Sequence, residues 1–144
     1  MSVSVKAPSH TFSVWERWAD RTKLADLDYP GVYLLADFHT APLGPANYTD
    51  KHIIYVGETT KRTLGTRLDD FHRAAFKGNS GRHSGGVTFT KKYGKSHRTR
   101  LYVAVLPIKC IKNPVRSLYI QYLERKFLLV YAQKWGKITS CNKK

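Results

Sequence analysis

Glu124 is the only carboxylate in residues 71–144. By pattern it stands in the middle of a helix, with Ile120, Leu128 and Tyr131 on its own side. A carboxylate beside an apolar stripe loses hydration, and a cation or a hydrogen-bond donor must offset that loss. A surface ion pair with Arg125 or Lys126 is the ordinary solution. The charge along the chain points to another. Residues 58–144 hold twenty basic and four acidic residues, a balance of +16, against five and six in residues 1–57. Eleven Lys and Arg lie between Asp70 and Glu124 with no acid among them. A single acid in such a field suits a hard divalent cation, because Mg²⁺ needs one or two protein carboxylates and takes its other ligands from water and phosphate. The field itself implies a polyanionic partner, and nucleic acid is the first candidate. Solubility does not require charge of one sign.

Other residues could join that acid. Two β-rich runs each set a tyrosine beside a glycine, Gly31-Val32-Tyr33 and Tyr55-Val56-Gly57. Strand tyrosines commonly pack, and strand glycines admit a close neighbour or mark a bulge. Arg62 and Arg67 follow the second run, and His72, His83 and His97 come later.

The elements that must position these residues are legible as patterns. Phe12, Trp15, Trp18 and Ala19 recur at helical steps and predict a helix over 11–26, ahead of the turn Asp28-Tyr29-Pro30-Gly31. Gly31–Ala36 and His52–Gly57 read as strands joined across a Pro- and Gly-bearing loop, an antiparallel hairpin. Leu64, Leu68, Phe71 and Ala75 share one helical face, ending by Gly78. Residues 77–100 are basic and polar with one short β-rich piece, Val87–Thr90; Leu101–Leu106 is a strand stopped by Pro107. Asn113-Pro114 opens a long helix whose buried stripe is Ile120, Leu123, Phe127 and Val130, and Ile138–Asn142 is irregular. The expectation is a small α/β domain with a three-stranded, mostly antiparallel sheet flanked by helices. It spans 30–144 and carries a helical extension over 1–29.

Taken in order, GVY at 31–33, YVG at 55–57, Arg67 in TRLDDFH, Glu124 in YLERKF and Asn142 in SCNKK resemble the GIY-YIG endonucleases. The resemblance covers residues 31–142 and implies a metal-dependent phosphodiesterase acting on DNA. By motif, Glu124 would be the protein ligand of one Mg²⁺ or Mn²⁺ ion per site. Tyr33 would deprotonate or place the attacking water. Tyr55 and Arg67 would hold the scissile phosphate, and Asn142 would brace the site. His72 loosely matches a histidine that often follows the arginine. The chain departs from the family in its long 37–51 loop and in the twelve positions from Tyr55 to Arg67, which leave Arg62 as a competitor for the arginine role. A rigid helix holds a catalytic guanidinium better than a loop does, so the phosphate contact falls to Arg67. Arg62, Arg82, His83, Lys91, Lys92, Lys95, Arg98 and Arg100 are the expected nucleic-acid contacts, with double-stranded DNA as the partner. One site cuts one strand, so double-strand cleavage would take a homodimer.

Two other readings compete with it. Glu124-Arg125-Lys126 spells the ExK of another nuclease class, but in a helix-period segment with no acid in the fifty residues before it. A non-catalytic basic nucleic-acid-binding module explains the charge, yet leaves Glu124 and both tyrosine motifs without a role. Restriction, mobility, repair and stand-alone defence are all roles that such a nuclease could serve. The apolar runs are far short of the ~20 residues of a membrane span, and Met1–Phe12 has no signal-peptide pattern. Cys110 and Cys141 form no CxxC, which suits reduced thiols in a cytoplasmic protein.

Overall fold

The computed structural model describes residues 11–78, 83–109 and 111–142, and of Lys95 the backbone alone. Two strands carry the tyrosine motifs, β2 (Gly31–Asp37) and β3 (Ile53–Thr59), and they pair antiparallel with Tyr33 opposite Gly57. Before them come β1 (Glu16–Arg17) and a 3-10 turn over Trp18–Lys23. After them come α1 (Leu64–Phe76), α2 (Ser84–Lys92), a second 3-10 turn over Lys95–Arg100, β4 (Leu101–Pro107) and α3 (Val115–Trp135). The sheet is antiparallel with strand order β1-β4-β2-β3.

The sheet therefore has four strands where three were expected, and the helix read over 11–26 does not form. Phe12 and Trp15 bury on one sheet face and Trp18 on the other, which no single helical stripe can do. An open edge of β4 offers unpaired backbone groups, and pairing satisfies them. Ser13 N–H donates to the Val105 carbonyl at 2.9 Å, its hydroxyl accepts from Val105 N–H at 2.9 Å, and Glu16 and Arg17 pair with Val103 and Tyr102. Residues 13–17 of the 1–29 extension are thus paired with the sheet.

A second correction concerns Val87–Thr90, read as β-rich and found in α2. Its β-branched residues favour a strand only weakly. His83 caps the helix, its imidazole accepting from Gly86 N–H at 3.2 Å. At Gly86 the helix lies so close to α1 that an added Cβ would press on Ala74 and the Phe71 carbonyl. Thr90 donates to the Ala75 carbonyl at 2.7 Å.

Helices cover both faces. Leu64, Leu68 and Phe71 of α1 and Phe89 of α2 pack with Tyr33, Leu35, Val103 and Val105. On the other face Ile120, Leu123, Phe127 and Tyr131 of α3 pack with Val32, Leu34, Ala36 and Val56. Tyr131 takes the buried place expected of Val130, which is half-buried. Each such large apolar side chain contributes roughly 1.5–3 kcal/mol on burial. No helix among the described residues is long and apolar enough to cross a membrane.

Strand β3 lies at the edge of the sheet, and the end of the chain closes that edge. Cys141 N–H donates to the Ile54 carbonyl at 2.7 Å. The Asn142 side chain accepts from Val56 N–H at 2.8 Å and donates to the Val56 carbonyl at 2.9 Å, so its amide imitates a paired strand.

Candidate active site

Both motif glycines answer to crowding. A side chain at Gly31 would strike the Leu106 carbonyl of β4, and one at Gly57 would strike the Tyr33 phenol. With no side chain at Gly57, the Tyr33 ring reaches across β3 toward its edge. There it meets Tyr55, the ring centroids 5.9 Å apart. The Tyr33 hydroxyl stands 2.6 Å from His83 Nε2, with both residues buried. His83 Nδ1 accepts the Gly86 N–H. A neutral imidazole has one N–H, so that cap assigns the proton to Nε2, and His83 donates to the Tyr33 oxygen. Burial and the nearby Arg67 guanidinium hold His83 down at about 3 and therefore neutral. Burial and the neighbouring Tyr55 push the Tyr33 phenol well above its usual range, and Arg67 opposes them. Tyr55 is pushed up to about 12, chiefly by burial, with Arg67 lowering it and the charges on Glu124 and Glu58 raising it.

Arg67 lies in the first turns of α1, half-buried, where its charge acts on Tyr33, Tyr55 and His83 together. Asp70 anchors it at 3.6 Å. Asp70 is fully buried and also meets Arg73 at 3.5 Å and Arg62 in a short ion pair. Arg62 is tied further to Thr59, whose hydroxyl accepts from Arg62 N–H at 3.3 Å and donates to its carbonyl at 3.0 Å. Of the two candidate arginines, Arg67 faces the tyrosines and Arg62 braces Asp70.

Glu124 approaches from the opposite face, on α3. Its side chain is 20% exposed and lies 3.7 Å from Arg125 Nε. Burial, and then the charge on Glu58, raise its carboxyl. Glu58 follows Gly57 on β3 and shares the α3-covered face with Val56, since side chains alternate along a strand. Its carboxyl is also raised by burial, against Arg67 and Arg125. Glu58 Oε2 is buried and has no hydrogen-bond partner among the described residues. An orphaned carboxylate oxygen beside a second carboxyl fits a hard cation. Among the described residues no group of three or more His, Cys, Asp or Glu gathers as a metal cage. An ion here would rest on this pair and on oxygens from outside the chain, as Mg²⁺ commonly does. Sequence reading missed Glu58; its signal was its alternation with Gly57 directly after the second tyrosine motif.

The other expected residues divide. His72 is not brought to the tyrosines. It lies against Trp18, whose Nε1–H donates to His72 Nδ1 at 2.9 Å, and burial holds it down at about 4. His83, expected at a nucleic-acid surface, is buried against Tyr33 instead. Arg100 pairs with Asp37 at 2.9 Å, and Arg98 lies over the Phe76 ring at 5.3 Å. Lys91 and Lys92 are exposed, and Lys92 Nζ donates to the Ser140 carbonyl. Arg82 and the side chain of Lys95 lie outside the described residues.

Comparison with family models, curated proteins and solved structures found no match to this chain.

Proposed function

We propose that this chain is a divalent-metal-dependent endonuclease that hydrolyses DNA phosphodiester bonds. One observation carries the reading: Tyr33, Tyr55 and Arg67, from three elements, gather around the edge of β3 within electrostatic reach of Glu124, which comes from a fourth. Packing alone gives no reason for that convergence, and the motif order of the GIY-YIG endonucleases does. Arg67, anchored by Asp70 at 3.6 Å, is the donor for the phosphoryl oxygens. Tyr55, partly exposed, faces the phosphate with it. Tyr33 accepts the His83 N–H, which favours its ionised form, and Arg67 favours it further. Those two contacts oppose the burial that makes the resting phenol a poor base. Glu124, with Glu58 beside it, would hold one Mg²⁺ or Mn²⁺. Bound there, such an ion neutralises charge on the phosphoryl oxygens and stabilises the leaving oxygen.

Complete burial of Tyr33 favours a second reading, in which the phenol is a core residue of a non-catalytic basic DNA-binding module. Supercoiled plasmid with Mg²⁺ or Mn²⁺ separates the two. The nuclease converts it to nicked circles in an EDTA-sensitive reaction, and Tyr33→Phe slows that reaction on the order of a hundredfold while the protein still folds, as loss of a general base does. Plasmid that stays supercoiled decides for the module; a Tyr33→Phe variant that nicks at the wild-type rate takes the general-base role from Tyr33 and leaves the ring as packing.

A further inference from the structure

Several of the basic residues expected to meet DNA are engaged within the fold: Arg62 with Asp70, His83 with Tyr33 and Arg100 with Asp37. At the start of β3, opposite in direction from Gly57, a cavity of about 490 Å³ opens between the strand edge, the C-terminal end of α2 and the 137–142 turn. Lys51, Lys92 and Lys137 line it with Tyr93 and Tyr131, and no carboxylate is among its lining residues. Its wall is ordered: the Tyr93 and Ser140 hydroxyls lie 2.6 Å apart, and Lys92 is tied to the Ser140 carbonyl. Lys51 and Lys137 are exposed, and among the described residues no carboxylate pairs with either. Asn142 lines the same cavity and also braces β3 at Val56, one residue before Gly57. The cavity and the candidate active site therefore lie along one strand edge.

We propose that this cavity receives a backbone phosphate of the bound DNA, a few nucleotides from the phosphate that is cut. From Ile53 to Gly57 an extended strand covers about 13 Å, close to the rise of about four nucleotides on one DNA strand. Lys51 and Lys137 supply the free ammonium groups, and Lys92 and Ser140 the fixed wall. The inference rests on the reading of the chain as a DNA nuclease, but binding tests it without cutting.

The experiment is fluorescence anisotropy of a short labelled duplex in EDTA across a range of salt. Neutralising one phosphate fewer makes the log–log salt slope shallower by about 0.9 and, at 0.1 M salt, weakens binding about eightfold. Lys51→Ala with Lys137→Ala should show both changes at an unchanged melting temperature. Lys51→Arg with Lys137→Arg should restore the slope. Lys23→Ala with Lys112→Ala removes the same charge elsewhere and should leave the slope as it was. The proposal is overturned if the two alanine pairs behave alike, or if neither moves the slope. Wild-type protein that binds DNA with the expected lysine dependence yet never nicks plasmid would sink the nuclease reading and leave the phosphate contact at this cavity standing. Protein that does not bind DNA sinks both.

Discussion

The two faces of the sheet reach the same edge strand in opposite states. Under α1 and α2 the polar groups are matched: His83 bridges Gly86 and Tyr33, and buried Asp70 meets Arg62, Arg67 and Arg73. Under α3 they are less well matched: among the described residues Glu58 Oε2 has no hydrogen-bond partner, and half-buried Glu124 has Arg125 at 3.7 Å and a second acid nearby. A matched network is rigid before substrate arrives. An unmatched carboxylate pair is stable only when positive charge joins it. On the proposed reading, one face would position a phosphate and the other would hold an ion.

The largest break is expected at Glu124. Glu124→Gln should reduce plasmid nicking about a thousandfold or more, at least the loss of one oxyanion donor, while duplex binding measured by anisotropy stays intact or tightens. The metal-free proteins should move the other way in a melting experiment. A carboxyl raised in the folded state binds its proton more tightly there than in the unfolded chain. Its contribution is present below its ordinary value of 4.5 and is lost as pH rises through the folded value. Near neutral pH the glutamine variant should therefore melt higher than wild type, and added Mg²⁺ should raise the melting temperature of wild type alone.

Next come the arginines, which test the matched face. Arg67→Ala should cost on the order of a hundredfold in turnover at saturating DNA. Arg62→Ala should keep turnover within a few fold and instead lower stability by about 1 kcal/mol, since its side chain is half in solvent. Chemical denaturation beside single-turnover nicking reads both. A loss of turnover in Arg62→Ala alone would reverse the two assignments.

Glu58→Gln asks whether the unmatched face is a pair. Mn²⁺ affinity, followed by the electron-spin signal of free Mn²⁺, should fall about tenfold, as when a supporting residue of a metal site is lost. An unchanged affinity would leave Glu124 as the sole anchor.

The last break is acid sensitivity from His83. Its folded value of about 3 lies below the ordinary 6.5. The unfolded chain takes up that proton first, so stability is full above 6.5 and is lost as pH falls toward 3. The slope is on the order of 1.4 kcal/mol per pH unit inside that window. His72, held at about 4, adds to it. Denaturant midpoints between pH 7 and 4 should fall less steeply for His83→Gln than for wild type.

Sequence periodicity by itself determined α1, the Ile120, Leu123 and Phe127 part of the α3 stripe, the β2–β3 hairpin and β4, because each is fixed by near neighbours along the chain. The charge asymmetry and the isolation of Glu124 were also legible, being counts. The tertiary structure decided what depends on distant partners. Residues 11–18 look helical until β4 offers an edge to pair with, and Val87–Thr90 looks like a strand until α1 and the His83 cap stabilise a helix. His72 and His83 are eleven positions apart in one basic stretch, and only packing sends one to Trp18 and the other to Tyr33. Glu58 lay unremarked beside Gly57 because a carboxylate pair forms across a strand and a helix sixty-six positions apart. Local sequence sets periodicity and caps; which side chains share a dielectric and a charge is set by the fold.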